Sequence, residues 1–258
     1  MLRAIGHRFF KMLQQSLYAL GFFFQVLRES LFFLRRQKVA FKVLTMQIYF
    51  TGVKALGIIT LIALAIGAAI LINGIAVLPQ FGQGNLVYLI LITVITRELG
   101  PVLTAFIVIA RSATAIATEL GDMVVTHQIE AYVSIGINPV SYLVVPRFLG
   151  VTISTILLTI YFNFIGLFAA FFLTQVIKPI PFFDYFYNLF NALKVVDVIT
   201  MIMKSLVFGI IISITASYYA LKVQVASTEI PVAVIKAVGQ GFVLCIIADV
   251  IITLVYYI

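Results

Sequence analysis

The hydrophobic positions of the chain form one amphipathic stretch followed by five long apolar stretches. Within the first 40 residues, apolar side chains recur at steps of three and four, the spacing of one face of an α-helix. We expect this helix to lie in the plane of a membrane interface, and packing on a soluble partner is the alternative. The stripe consists of Phe9, Leu13, Leu17, Leu20, Phe24, Leu27, Leu31 and Leu34.

The apolar stretches that follow are long enough to cross a membrane as helices. Residues 55–78 carry no charge, and at 1.5 Å per residue they reach roughly 36 Å, against a hydrocarbon core of about 30 Å. Pro101 predicts a kink in the second stretch, because proline removes a backbone donor. The aromatic loop at residues 178–194 has room for an interfacial helix. The five predicted spans are residues 55–78, 86–118, 148–176, 195–221 and 236–258.

Composition and charge support a membrane protein of defined orientation. The chain is 63% hydrophobic and 10% charged, whereas a soluble domain carries roughly a quarter charged residues. The formal net charge of +8 resides in residues 1–54, which predicts a cytoplasmic amino terminus and, after five spans, a periplasmic carboxyl terminus. The basic side chains alternate with Phe and Leu and lead into a span, so we expect no nucleic-acid binding.

The domain organisation follows from these patterns. Residues 1–42 are predicted to form the interfacial helix and an elbow, and residues 43–258 to form an all-α, five-span membrane domain. No G-x-x-x-x-G-K-[ST] loop is present to hold nucleotide phosphates. The single cysteine, Cys245, lies in an apolar run, and no cluster of Cys and His indicates a metal. We therefore expect a chain that is not an enzyme and that binds no cofactor itself.

Four charged residues fall inside the predicted spans. Arg97, Glu98, Lys204 and Asp249 are each costly in lipid, by ~2.5–3.5 kcal/mol on insertion scales, so such residues usually face a partner or a wet cavity. Counted along the helices, Glu98, Lys204 and Asp249 lie at similar depth in the outer half of the membrane. Two acids and two bases can pair with one another. The patch is then either part of a substrate cavity or only a contact between helices.

A polar segment separates the second and third spans at about residues 119–138. It is too polar to span a membrane, and it alternates apolar and polar side chains in a way that suits a short amphipathic helix. Such a helix can dock into a groove of a cytoplasmic protein, and an ordinary connecting loop is the alternative. The candidate contact residues are Glu119, Asp122, Met123, His127, Glu130 and Tyr132.

Three linked motifs in this region resemble the signature of the MlaE permease family. They are RELGPVLT at residues 97–104, ELG at 119–121 and YLVVPR at 142–147. The resemblance implies a homodimeric permease of the bacterial inner membrane that works with a periplasmic MCE-domain protein. It also implies a cytoplasmic ABC ATPase, a separate chain that uses ATP and Mg²⁺ and contacts the segment at residues 119–132.

The resemblance implies a substrate class as well. Such permeases move phospholipid or related hydrophobic molecules between the inner and outer membranes, and so bear on the lipid asymmetry of the outer membrane. A different interpretation of the same residues is an ion-coupled secondary transporter, with Glu98, Lys204 and Asp249 as its relay. The sequence shows no repeat of the kind that many such transporters contain. A membrane anchor is a further alternative, which has no need of intramembrane charges.

Overall fold

The computed structural model describes residues 17–31, 38–77, 86–177, 179, 181–224 and 226–257. In these ranges the regular elements are all helical, and five stretches are long and apolar enough to cross a membrane. The predicted all-α membrane fold with five spans is therefore confirmed. Stripe residues Phe9, Leu13 and Leu34 lie outside the described residues.

The helices follow one another as an amphipathic helix, five spans and two short connecting helices. The amino-terminal helix covers residues 17–31. The spans are Phe41–Gly74, Leu86–Val125, Val140–Val176, Val195–Ala220 and Glu229–Tyr256. The connecting helices are Gln128–Ser134, between spans two and three, and Phe182–Ala192, between spans three and four.

Four spans begin or end beyond the predicted limits, because the helices continue through polar residues that the hydrophobic pattern leaves outside the spans. Span one begins at Phe41, 14 residues before the predicted start, within helix Lys38–Thr51. It continues through a 3-10 turn at Val53–Ala55 into helix Leu56–Val77. Span three begins with a π-helical turn at Val140–Val144. Span five begins at Glu229, and its Pro231 lies in the first turn, where the missing N–H costs no helical hydrogen bond.

Span two extends to Val125 and is irregular at two places. Residues Ile92–Leu99 and Ile109–Ala113 are π-helical, and the helix Gly100–Val108 lies between them. Pro101 stands at the start of that helix, directly after the first π-helical stretch. The irregularity predicted from the proline is thus a widened turn, and such turns occur frequently at functional sites.

Small residues bring the spans into close contact. A Cβ atom on Gly67 of span one would lie 2.2 Å from the carbonyl oxygen of Gly166 in span three, and one on Gly209 of span four would lie 2.7 Å from Cα of Thr152. Side chains larger than hydrogen would force these backbones apart. Span three is therefore held closely between spans one and four, as is usual for helices packed in a membrane.

The ends of the spans form two faces. One face, which we call the basic face, contains the start of spans one, three and five and the end of spans two and four. At this face Gly121 of span two lies against Ile230 of span five. The opposite face contains helix Phe182–Ala192, whose Tyr185 is buried and donates a hydrogen bond to the carbonyl oxygen of Leu167 at 3.1 Å. Burial raises the pKa of Tyr185, which keeps the hydroxyl protonated as a donor.

Candidate functional site

Three of the four predicted intramembrane charges meet in one network. The Nζ atom of Lys204 in span four lies 2.7 Å from Oε2 of Glu98 in span two and 2.8 Å from Oδ1 of Asp249 in span five. One ammonium group is thus shared by two carboxylates that come from different helices. We call Glu98, Lys204 and Asp249 the charge triad.

The members of the charge triad differ in exposure. Lys204 is completely buried, whereas the side chains of Glu98 and Asp249 are 32% and 20% exposed. Thr253, one turn after Asp249, places its Oγ1 atom 3.4 Å from Oε2 of Glu98. The lysine therefore neutralises the site from inside, and the carboxylates are the groups of the triad that reach the surface of the chain.

The fourth predicted charge, Arg97, does not join the triad. Its Nη2 atom lies 2.7 Å from Oδ1 of Asp197, at the start of span four, and its guanidinium group lies 4.4 Å from the ring centre of Tyr256. Asp197 is buried and also accepts a hydrogen bond from the backbone N–H of Lys194 at 3.0 Å. The prediction that the four charges pair among themselves is wrong in this respect, because neighbouring residues on a helix point in different directions.

The backbone around Arg97 and Glu98 explains how two adjacent charges are directed to different partners. Both belong to the π-helical stretch, which ends at Leu99. The next residue, Gly100, packs against span three, where a Cβ atom would come within 2.9 Å of Nδ2 of Asn163. That nitrogen also donates to the carbonyl oxygen of Thr159 at 2.8 Å. Glycine at this position lets span two approach span three closely enough to place the charges toward spans four and five.

A second ion pair holds the polar segment at the basic face. Arg147 is buried at the start of span three, donates to the carbonyl oxygen of Leu143 at 2.7 Å and lies 2.7 Å from Oε1 of Glu119 at the end of span two. Glu119 is half-exposed. Glu119 therefore has a structural role in joining spans two and three. Its contact with a partner stays a prediction.

The segment after Glu119 turns sharply into the short helix Gln128–Ser134. Asp122 is exposed near the end of span two. His127 adopts the left-handed conformation, with φ of 56°, and its Nδ1 atom lies 3.0 Å from Oε2 of Glu130. Both side chains of this pair are mostly exposed. The predicted short amphipathic helix exists, and its polar candidates Asp122, His127 and Glu130 face outward.

The apolar candidates of the same segment face the other way. Met123, Ile129 and Tyr132 are partly buried against the core, and the ring of Tyr132 contacts that of Tyr142 at 5.4 Å between centres. The prediction that Met123 and Tyr132 form the apolar contact surface for a partner conflicts with this orientation. The short helix and the turn after it expose Val133 and Ile135 instead, at 58% and 70%.

Sequence reasoning missed several residues of these sites. Asp197 lies seven residues before Lys204, two helical turns away on the same face, and this spacing was the available signal. Tyr256 likewise lies seven residues after Asp249. Nothing in the sequence distinguishes Val133 and Ile135 from the apolar residues that pack inward. Within the described part of the chain, no cluster of three or more His, Cys, Asp or Glu side chains has the arrangement of a metal site.

Comparison with known proteins gives consistent matches over most of the chain. A family model described as Permease MlaE matches residues 44–255. The chain is 28% identical over 207 residues to a probable ABC transporter permease protein of Rickettsia typhi, which covers 80% of each chain. It is 25% identical over 258 residues to a similarly described protein of Rickettsia bellii, covering 98% and 96% of the two chains. It is also 28% identical over 199 residues to the chloroplastic protein TRIGALACTOSYLDIACYLGLYCEROL 1 of Arabidopsis thaliana, covering 77% of this chain and 57% of that one.

Proposed function

The chain belongs to the MlaE permease family, and we propose that, as the permease component of an ABC transporter, it moves phospholipid or a related hydrophobic molecule across or out of the membrane. The chain has no nucleotide-binding loop of its own. ATP hydrolysis is then the task of a separate ATPase chain that binds ATP and Mg²⁺. The relative from Arabidopsis bears the name of a galactolipid, which supports a lipid as the class of cargo.

The observation that carries this proposal is the charge triad and its partial exposure inside the membrane span. A charged group facing lipid is costly, so the exposed parts of Glu98 and Asp249 need a cover of protein or a water-filled cavity. A second copy of the chain is the cover we propose. The cavity between two copies then contains carboxylate oxygens in the outer half of the membrane and apolar side chains around them.

Such a cavity suits an amphipathic cargo. Because Lys204 is completely buried, a lipid headgroup meets Glu98 and Asp249 before it meets the ammonium group. The exposed carboxylates favour a headgroup that carries an amine, such as that of a zwitterionic phospholipid, and the apolar faces of the spans accept the acyl chains. The charge triad therefore contacts the headgroup in this proposal, rather than only joining helices.

The surface that we propose for the ATPase is the outward side of the polar segment. Val133 and Ile135 offer exposed apolar contacts, and His127 and Glu130 offer polar ones beside them. An amphipathic helix of this kind can dock into a groove of a partner. The ion pair between Glu119 and Arg147 joins the segment to spans two and three, so a movement of the ATPase is transmitted to the spans.

The same proposal gives the chain a location. We place it in the bacterial inner membrane, with the amino terminus in the cytoplasm and the carboxyl terminus in the periplasm, since the basic residues concentrate at the amino-terminal side. A periplasmic MCE-domain protein then receives or delivers the lipid at the opposite face.

Purification of the complex from its native membrane, followed by mass spectrometry, tests these assignments together. We expect an ABC ATPase, an MCE-domain protein and phospholipid to co-elute with a homodimer of this chain. Co-elution without an ATPase would contradict the proposal. A second purification uses the variant Ile135→Asp, which alters the exposed side of the segment and leaves the core intact. This variant should lose the ATPase and keep the lipid.

A further inference from the structure

A cavity of about 790 Å³ opens at the basic face, away from the charge triad. It lies between the amino-terminal helix, the end of span four and the start of span five. Its walls combine apolar and charged side chains. They include Ala19, Tyr218, Lys222, Glu229, Val232 and Lys236.

The two lysines of this cavity have no carboxylate partner. The Nζ atom of Lys222 donates to Oη of Tyr218 at 2.5 Å and lies 4.2 Å from the centre of its ring. Lys236 is exposed, and in the described part of the chain it forms no ion pair. The residues outside the described ranges contain no Asp or Glu, so their side chains supply no acidic partner either. Two positive charges therefore remain available in the lining of the cavity.

The one acidic residue of the cavity has another role. Glu229 accepts a hydrogen bond from the backbone N–H of Gln224 through its Oε2 atom at 2.8 Å, which closes the turn between spans four and five. A helix N-terminus also favours a carboxylate at this position. Glu229 thus stabilises the turn and leaves the lysines without an ionic partner.

The apolar part of the cavity is continuous with the membrane-facing surface. Val232 and the neighbouring Ile235 are exposed on span five, at 48% and 71%. On the other side, Leu17 and Leu20 are exposed beside Ala19 on the amino-terminal helix. A ligand held here therefore contacts two ammonium groups with one part and hydrocarbon-facing side chains with another.

The geometry points to a binding site for the phosphate headgroup of an anionic phospholipid, bound by Lys222 and Lys236, with its acyl chains along Val232 and Ile235. Basic pockets between helices at a membrane surface are typical sites for anionic lipid headgroups. Long lysine side chains reach the headgroup level while their methylene groups stay on apolar surface. This site lies at the end of spans four and five remote from the charge triad, and its lining residues all belong to this chain.

A single tryptophan makes the site directly measurable. The chain contains no Trp, so Tyr219→Trp, at a residue that lines the cavity, gives fluorescence from this place alone. The purified chain is placed in protein-free liposomes of phosphatidylcholine that contain small fractions of either brominated phosphatidylglycerol or brominated phosphatidylcholine. We expect the anionic brominated lipid to quench at a much lower fraction than the zwitterionic one.

Variants that remove the lysine charges of the cavity, with a control that removes the same number of charges elsewhere, identify the residues responsible. At about 1 kcal/mol for each basic residue, Lys222→Gln and Lys236→Gln should each weaken quenching by the anionic lipid about fivefold, and together about 25-fold. The control is Lys42→Gln with Lys54→Gln, which removes two exposed lysines of span one outside the cavity. If the double variant of the cavity does not fold, the two single variants carry the test.

Three outcomes would overturn the inference. Equal quenching by the two brominated lipids would show that the cavity does not select a headgroup. Equal weakening by the cavity variant and the control variant would show a general attraction of the basic surface. Displacement of the brominated anionic lipid by millimolar inorganic phosphate would show a site for a free phosphate anion instead of a lipid.

Discussion

Replacing Lys204 with methionine removes the only cation of the charge triad and keeps most of the apolar bulk of the side chain. Glu98 and Asp249 then face each other across the position of their shared partner. Both lie within a membrane span, where water is scarce and an uncompensated charge is costly. We expect this substitution to destabilise the protein more than any exposed lysine substitution does.

The magnitude follows from the distances. Two charges at the observed separations of 2.7 and 2.8 Å interact by roughly 6 kcal/mol for each pair at an effective dielectric constant of about 20. Desolvation of the buried ammonium group offsets much of this attraction. Removing one member of a buried pair costs about 3–5 kcal/mol, and the partial exposure of the two carboxylates favours the lower end, about 3 kcal/mol.

Thermal unfolding of the purified protein in one detergent measures the effect. At about 2–4 °C for each kcal/mol in a chain of this size, Lys204→Met should lower the unfolding temperature by about 6–12 °C. The control is Lys236→Met, which changes an exposed lysine of span five that forms no ion pair in the described part of the chain. Adding Asp249→Asn to Lys204→Met should recover part of the loss, because coupled sites deviate from additivity. Equal unfolding temperatures for Lys204→Met and the control, or strictly additive losses, would refute the reasoning.

Three further substitutions test other parts of the molecule. Asp197→Asn removes the charge that Arg97 contacts, so the same unfolding assay should show a loss of about 3 kcal/mol; an unchanged temperature would contradict a structural ion pair. Ile135→Asp alters an exposed residue, so it should reduce co-purification of the ATPase without changing the unfolding temperature, and full retention of the ATPase would remove this surface from the proposal. Phe24→Glu should expose the amino-terminal helix to protease in vesicles, whereas Gln25→Glu on the neighbouring polar position should not, and equal digestion would argue against a membrane-facing stripe.

The number of spans could be predicted from the sequence because apolar length is a local property. Helix limits could not, since they depend on what the ends contact. The predicted limits leave Glu229 between spans four and five, yet it begins span five, where it accepts a hydrogen bond from the turn before it. Gln47 and Thr51 are polar and lie before the predicted start of span one. They nevertheless belong to a helix that packs on span three, where Gln47 lies against Gly150.

The candidate site shows the same division between depth and direction. Counting residues along each helix placed Glu98, Lys204 and Asp249 at one depth, and the structure brings these three together. The contact between Arg97 and Asp197 could not be obtained in this way. The direction of the Arg97 side chain depends on the π-helical stretch, which the sequence pattern does not predict. The inward orientation of Met123 was equally hidden, since an apolar residue on a short helix suits a core and a partner surface alike.

The direct test of an ATP-driven lipid permease is lipid transfer in proteoliposomes that contain the natively purified complex. Labelled phospholipid should be transferred when ATP is supplied, and an ionophore that removes ion gradients should leave the rate unchanged. The variant Glu98→Gln/Lys204→Met/Asp249→Asn leaves no unpaired charge in the triad, so it should fold and still transfer lipid poorly. Transfer driven by an ion gradient without ATP, or transfer by this variant at the rate of the unmodified complex, would contradict the proposal.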